Sequence, residues 1–134
     1  MLKTYTKHSV STKVALYSHD KQKVLVMRYV KSGLTGLPGG HVDKGEHPDD
    51  TLRRELVEEL SLSLDTITRK DFFIRDRDGR AIILAYTAIA PENVSIQPTL
   101  PKKEIGEWVG KEDIAAMPNM VEAYKRFILE NWPD

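Results

Sequence analysis

"GGHVDKGEHPDDTLRRELVEELSL", residues 39–62, carries seven Asp and Glu residues behind a pair of glycines. Pro48 suits the first turn of a helix, and the spacing predicts one from about Pro48 to about Leu60. At about 100° per residue, Glu55, Glu58 and Glu59 then share an arc of about 100°. Leu52, Leu56 and Leu60 form a stripe beside that arc, so they should anchor the helix and leave the carboxylates at the core's edge. Like charges at these spacings cost a few tenths of a kcal/mol per pair, which a solvated helix face tolerates. The charges alone therefore decide nothing.

The glycines change that reading. Gly39-Gly40, after Pro38, lets backbone approach a ligand closely and exposes its carbonyl or amide groups. Several carboxylates with a carbonyl make an oxygen-only ligand set, which suits a hard cation such as Mg²⁺. A cation so held can neutralise phosphate charge and prepare water for attack. His41 and His47 lack zinc-ligand spacing with each other, and a zinc site is not expected.

Working outward, "KVALYSHDKQKVLVMRYV" (13–30) reads as a hairpin with its turn near His19 to Gln22, followed by a glycine-rich loop over residues 31–46. Residues 65–76 and 80–90 are strand candidates around an Asp78-Gly79 turn, and "EWV" (107–109) a short third. Asn119 is expected to cap a helix over "NMVEAYKRFILEN", with Glu122 as its capping-box partner. Met120, Val121, Tyr124, Phe127 and Ile128 would be its packing face. Strands and helices mix without regular alternation, which predicts a mixed sheet covered by helices.

The 134 residues suit one domain, spanning 1–134, with no linker or repeat. Twenty basic and twenty acidic residues balance, so neither a nucleic-acid polymer nor an anionic membrane is an expected partner. The absence of cysteine excludes disulfides, thiolate metal sites and cysteine nucleophiles. The N-terminus lacks the apolar core of a signal peptide, and the longest apolar stretch is too short for a bilayer, so a cytoplasmic protein is expected.

Gly40, Glu46 after five residues, Arg54-Glu55-Leu56 after seven, then Glu58-Glu59 and Leu62 resemble the signature of the Nudix (MutT-like) hydrolases. "VLVMRYV" before it, "LPGG" leading in, and "EIGEWV" with "KEDIAAMP" after it are similar to the family's order. The resemblance implies an α/β/α sandwich around a mixed sheet. It implies a hydrolase acting on phosphoric anhydride bonds, with a divalent metal, usually Mg²⁺ and in some cases Mn²⁺. Carried over by residue, Glu58 and Glu59 resemble metal ligands, with a carbonyl from the Gly40 region. Glu55 resembles a further ligand or the base that activates water. Glu46 and Arg54 resemble the pair that ties loop to helix. Glu104 is the first candidate for a further downstream acid, and Glu107 the second.

Two positions depart from the pattern. Ser61 replaces a glycine suited to a left-handed helix end, at a cost of roughly 1 kcal/mol unless the end is built differently. Thr35 stands where many relatives have an aromatic before "LPGG". Neither removes a metal ligand.

The leading reading is a metal-dependent pyrophosphohydrolase acting on a nucleoside diphosphate linked to another moiety, such as a nucleoside triphosphate or modified nucleotide. Alternatives are hydrolysis of ADP-ribose, of another nucleoside diphosphate sugar or of a dinucleoside polyphosphate, or a nucleotide-sensing module without turnover. Arg28 is a candidate for a phosphate contact. Tyr29, Phe72, Phe73, Tyr86 and Trp108 could stack a base or belong to the core. The expected partner is a small nucleotide-type substrate, and a homodimer is open.

Overall fold

The hairpin expected over residues 13–30 forms, but its arms part almost at once. In the computed structural model, which describes residues 4, 7–75, 81–92, 94 and 104–134, β1 (Ser9–Tyr17) and β2 (Lys23–Tyr29) are paired where Tyr17 faces Val24. Farther along, β2 pairs with β3 (Thr35–Gly36), and β1 pairs with β4 (Gly39–His41) through Ser11 to Lys13. The loop expected over residues 31–46 thus folds into the fork and lines both of its inner edges. Backbone satisfaction explains this, because buried strand edges need partners. Val14 N–H donates to the Pro38 carbonyl at 3.0 Å, and Val42 N–H to that of Val10 at 2.8 Å.

Three further strands complete a seven-stranded mixed sheet. β5 (Thr68–Arg75) and β6 (Ala81–Ile89) are antiparallel, and β6 runs parallel to β1 along its whole length. β7 (Glu104–Gly110), longer than the expected 107–109, lies antiparallel on β2. The expected turn at Asp78-Gly79 lies outside the described residues.

Alternation along the strands divides the core between two faces. Val14, Leu16, Leu25, Met27, Tyr86 and Ala88 pack with Leu52, Leu56 and Leu60 of α1 (Pro48–Leu60). Ala15, Tyr17, Val24, Val26, Ile83 and Ala85 pack with α2 (Lys111–Ala116) and α3 (Glu122–Glu130). This is the expected α/β/α arrangement around a mixed sheet. Among the described residues, no helix is long and apolar enough to cross a membrane.

The first helix keeps its expected bounds. His47 caps it, accepting a hydrogen bond from Asp49 N–H at Nδ1 (3.1 Å), and Pro48, Asp49 and Asp50 fill a first turn that favours proline and negative charge. At its end Ser61 adopts the left-handed conformation (φ 53°) that a glycine would take without penalty. Its N–H donates to the Val57 carbonyl at 3.0 Å.

The last helix corrects the sequence reading. Asn119 is not its cap: the helix starts at Glu122 with Val121 as N-cap, and no side chain caps it. Asn119 is left-handed (φ 62°), and its carbonyl accepts the Thr35 N–H at 2.9 Å. That tie to the fork uses the residue elsewhere, so the Asn119–Glu122 capping box does not form. The expected packing face holds, with Met120, Tyr124, Phe127 and Ile128 buried and Val121 partly so.

Candidate active site

Gly39 and Gly40 bring the fork and α1 into contact. Gly39 has φ +141°, and a Cβ there would overlap the Thr12 carbonyl. A Cβ on Gly40 would overlap the Glu55 carboxylate, so only a bare backbone lets that carboxylate lie against β4. The Gly40 carbonyl, expected as a metal ligand, accepts the Thr12 hydroxyl at 3.3 Å, with a second lone pair still available.

Glu46 and Arg54 lock the preceding loop to the helix. The guanidinium donates Nε to Glu46 Oε2 at 2.9 Å and Nη2 to Oε1 at 3.0 Å, a two-pronged pair. Thr51 Oγ adds a 2.6 Å hydrogen bond to the same carboxylate. These bonds, Arg54's first and then Thr51's, hold the Glu46 carboxyl down at about 2. Arg54 Nη1 also reaches Glu55 and Glu58, each at 3.2 Å, and Nη2 stands 3.4 Å from Asp43. One cation thus gathers four carboxylates, and its own pKa is raised, with Glu46 as the main cause.

Glu59, also on α1, is half-buried. Burial pushes its carboxyl up to about 8, reinforced by the charge of Glu104 and by a hydrogen bond with Glu55, and Lys13 opposes the rise. Glu55 and Glu59 of α1 and Glu104 of β7 thus act on one another electrostatically at the edge of the core. Glu58 is peripheral, its side chain 54% exposed and on Arg54. Glu107, the second downstream candidate, pairs instead with Arg28 at 2.9 Å.

The donor set fits a hard divalent cation. The donor atoms are oxygens alone, and half-buried carboxylates that repel one another are an environment a cation relieves. Among the described residues, no three His, Asp or Glu side chains stand ready-arranged around one point. Arg54 accounts for part of this, since it draws Glu55 and Glu58 toward itself.

A cavity of about 270 Å³ opens in the fork between β1 and β3. Lys13, Tyr29, Thr35, Asn119 and Tyr124 are among its lining residues. Of the aromatic candidates only Tyr29 reaches it. Tyr86 is buried and donates its hydroxyl to Asp49 at 2.5 Å, Phe73 packs on the core, and Phe72 is exposed on β5. Trp108 lines a different cavity of about 410 Å³, at the β1–β2 turn. Lys13 and Asn119 were missed from the sequence. Lys13 sits in an apolar strand without a motif, and Asn119 looked like a helix cap.

A family model of the NUDIX domain matches residues 7–130. The chain belongs to the Nudix family and is a hydrolase; such hydrolases generally use a divalent metal. It is similar to the MutT NUDIX hydrolase of Burkholderia pseudomallei, at 22% identity and TM-score 0.78 over 95% of this chain and 99% of that one. The NUDIX domain of Shewanella oneidensis NrtR, in complex with ADP ribose, matches at 25% identity and TM-score 0.77, covering 92% of this chain and 86% of that one. The E. coli dihydroneopterin triphosphate pyrophosphohydrolase matches at 17% identity and TM-score 0.76, covering 94% and 97%. No curated protein matches.

Proposed function

We propose that this chain is a Mg²⁺-dependent pyrophosphohydrolase that cleaves a nucleoside diphosphate linked to another moiety, with a nucleoside triphosphate or modified nucleotide as the favoured substrate. The observation that supports this reading is the Glu55 carboxylate lying against the bare Gly40 backbone, with Glu59 raised in pKa by burial and by the charge of Glu104. Mn²⁺ suits the same oxygen ligands.

Glu55, Glu58, Glu59 and the Gly40 carbonyl would hold the cation. When bound, it supplies charge neutralisation at the phosphate oxygens. Glu104, on β7, would orient water and take its proton, with Glu55 the alternative base. In the reaction the water oxygen bonds to phosphorus, the bridging P–O bond breaks and the departing phosphate leaves with its electron pair. Glu46 and Arg54 fix the loop and helix that carry these groups, a positioning role.

The cavity's 270 Å³ lies just below the roughly 300 Å³ at which pockets for drug-sized ligands begin. It suits one base with its sugar, which favours a mononucleotide over a dinucleoside polyphosphate. Tyr29 and Tyr124 offer aromatic surface, and the Asn119 amide can both donate and accept a hydrogen bond. Arg28, tied to Glu107 and half-exposed, is a weaker candidate for substrate contact.

A panel of nucleoside triphosphates, ADP-ribose, nucleoside diphosphate sugars and dinucleoside polyphosphates, assayed with Mg²⁺ for released phosphate, pyrophosphate or monophosphate, tests this function. Turnover of a triphosphate to monophosphate and pyrophosphate is expected. Binding without turnover anywhere in the panel would overturn it in favour of a sensing module.

A further inference from the structure

Lys13 is an unusual residue for its place. It lies in the middle of β1, between the fully buried Thr12 and Val14, with its backbone paired to Gly39 on one side and Ala85 on the other. Lysine is costly in a buried strand unless its charge is used. Here the side chain lines the cavity and is the only charged group among the described residues that do so. Gly39 opposite it carries no side chain, and the next residue, Gly40, holds the Glu55 carboxylate. Lys13 thus lines the cavity and is also near enough to Glu59 for its charge to act on that carboxylate.

We propose that Lys13 is a specificity-determining residue whose ammonium holds the phosphate joining the nucleoside in the cavity to the group at the carboxylates, so that the site selects nucleoside phosphates over nucleosides. The inference rests on the cavity assignment made above and adds the group that reads the substrate's charge. A phosphate entering this cleft meets Glu55, Glu59 and Glu104, which repel it. The cation they would hold offsets that repulsion on the helix side. Lys13 offsets it on the cavity side, where the other lining groups are neutral. An ammonium with three rotatable donors suits a phosphate whose oxygens shift during hydrolysis, since it imposes no fixed two-pronged geometry.

The lysine could instead be only a counter-charge for Glu59, and the experiment separates the two roles. Binding of adenosine, guanosine and their 5′-monophosphates is measured by NMR titration in EDTA, for wild type and for Lys13→Met and Lys13→Arg, with melting temperatures as a check on folding. Wild type should bind monophosphate at least about tenfold more tightly than nucleoside, which corresponds to about 1.4 kcal/mol. Lys13→Met should bring that ratio close to one, and Lys13→Arg should restore part of it. If Lys13→Met does not fold, Lys13→Gln takes its place. A ratio that survives Lys13 replacement would overturn the proposal while leaving the cavity assignment intact. A wild type that binds neither nucleosides nor monophosphates would overturn both.

Discussion

Glu46 and Arg54 share a two-pronged pair that Thr51, Glu55, Glu58 and Asp43 extend, and their effects should be read together. Leaving one charged partner behind costs more than removing both. Glu46→Gln and Arg54→Gln should therefore be strongly non-additive in a double-mutant cycle on unfolding free energy, and additive losses would contradict the pairing. The same carboxylate sets an acid limit. Its folded pKa of about 2 lies below the 4.5 of an unperturbed Glu, so the folded state binds fewer protons. The stabilisation is complete above about pH 4.5 and fades as pH falls toward 2. Denaturant midpoints of wild type and Glu46→Gln should accordingly converge between those values; a constant gap down to pH 2 would refute this. Glu59 has the opposite sign. Its pKa is raised, so in metal-free protein its contribution is complete below pH 4.5 and is lost as pH rises toward 8. Metal-free Glu59→Gln should gain on wild type over that range, and a gap that does not change with pH would count against a buried, crowded carboxylate.

Helix α1 shows what the sequence made legible. Its proline start, its leucine stripe and its acidic arc are local periodic signals, and all three were readable before the structure. The helix end was only half readable, since Ser61 in a glycine's place left open whether the end was left-handed or built differently; it is left-handed. Ser61→Gly should raise stability by roughly 1 kcal/mol, visible as a higher melting temperature, because serine in that conformation crowds its own Cβ. A melting temperature unchanged or lowered would mean the end is not strained. Other elements were hidden because partners distant in sequence decide them. The fork between β1 and β2 depends on residues 35–41 inserting into it, which alternation within the two strands does not encode. Asn119 was misread for the same reason: its carbonyl is claimed by Thr35, more than eighty residues away, and the helix begins later. Glu59's burial and its approach to Glu104 likewise needed the sheet, whereas the motif supplied only the list of acids.

At the scale of the molecule, the sheet divides labour between its faces. One face packs α2 and α3 as a core, and the other holds α1 so that its carboxylates reach the mouth of the fork. Metal binding should therefore stabilise the whole fold. Free Mg²⁺ at 100-fold its dissociation constant should add about 2.7 kcal/mol to the unfolding free energy, and a melting temperature indifferent to millimolar metal with a substrate analogue present would argue against the site. The central claim is that the acids gathered around Glu59 perform hydrolysis with a cation. Its most direct test is the turnover of Glu59→Gln on the best substrate of the nucleotide panel at saturating Mg²⁺. The substitution keeps size and helix propensity, and Leu52, Leu56 and Leu60 are untouched, so the variant should fold. Loss of a charge that supports several kcal/mol of transition-state stabilisation should lower turnover at least about 10³-fold, since each 1.36 kcal/mol is tenfold. A folded Glu59→Gln protein that hydrolyses the substrate at near wild-type rate would contradict the account.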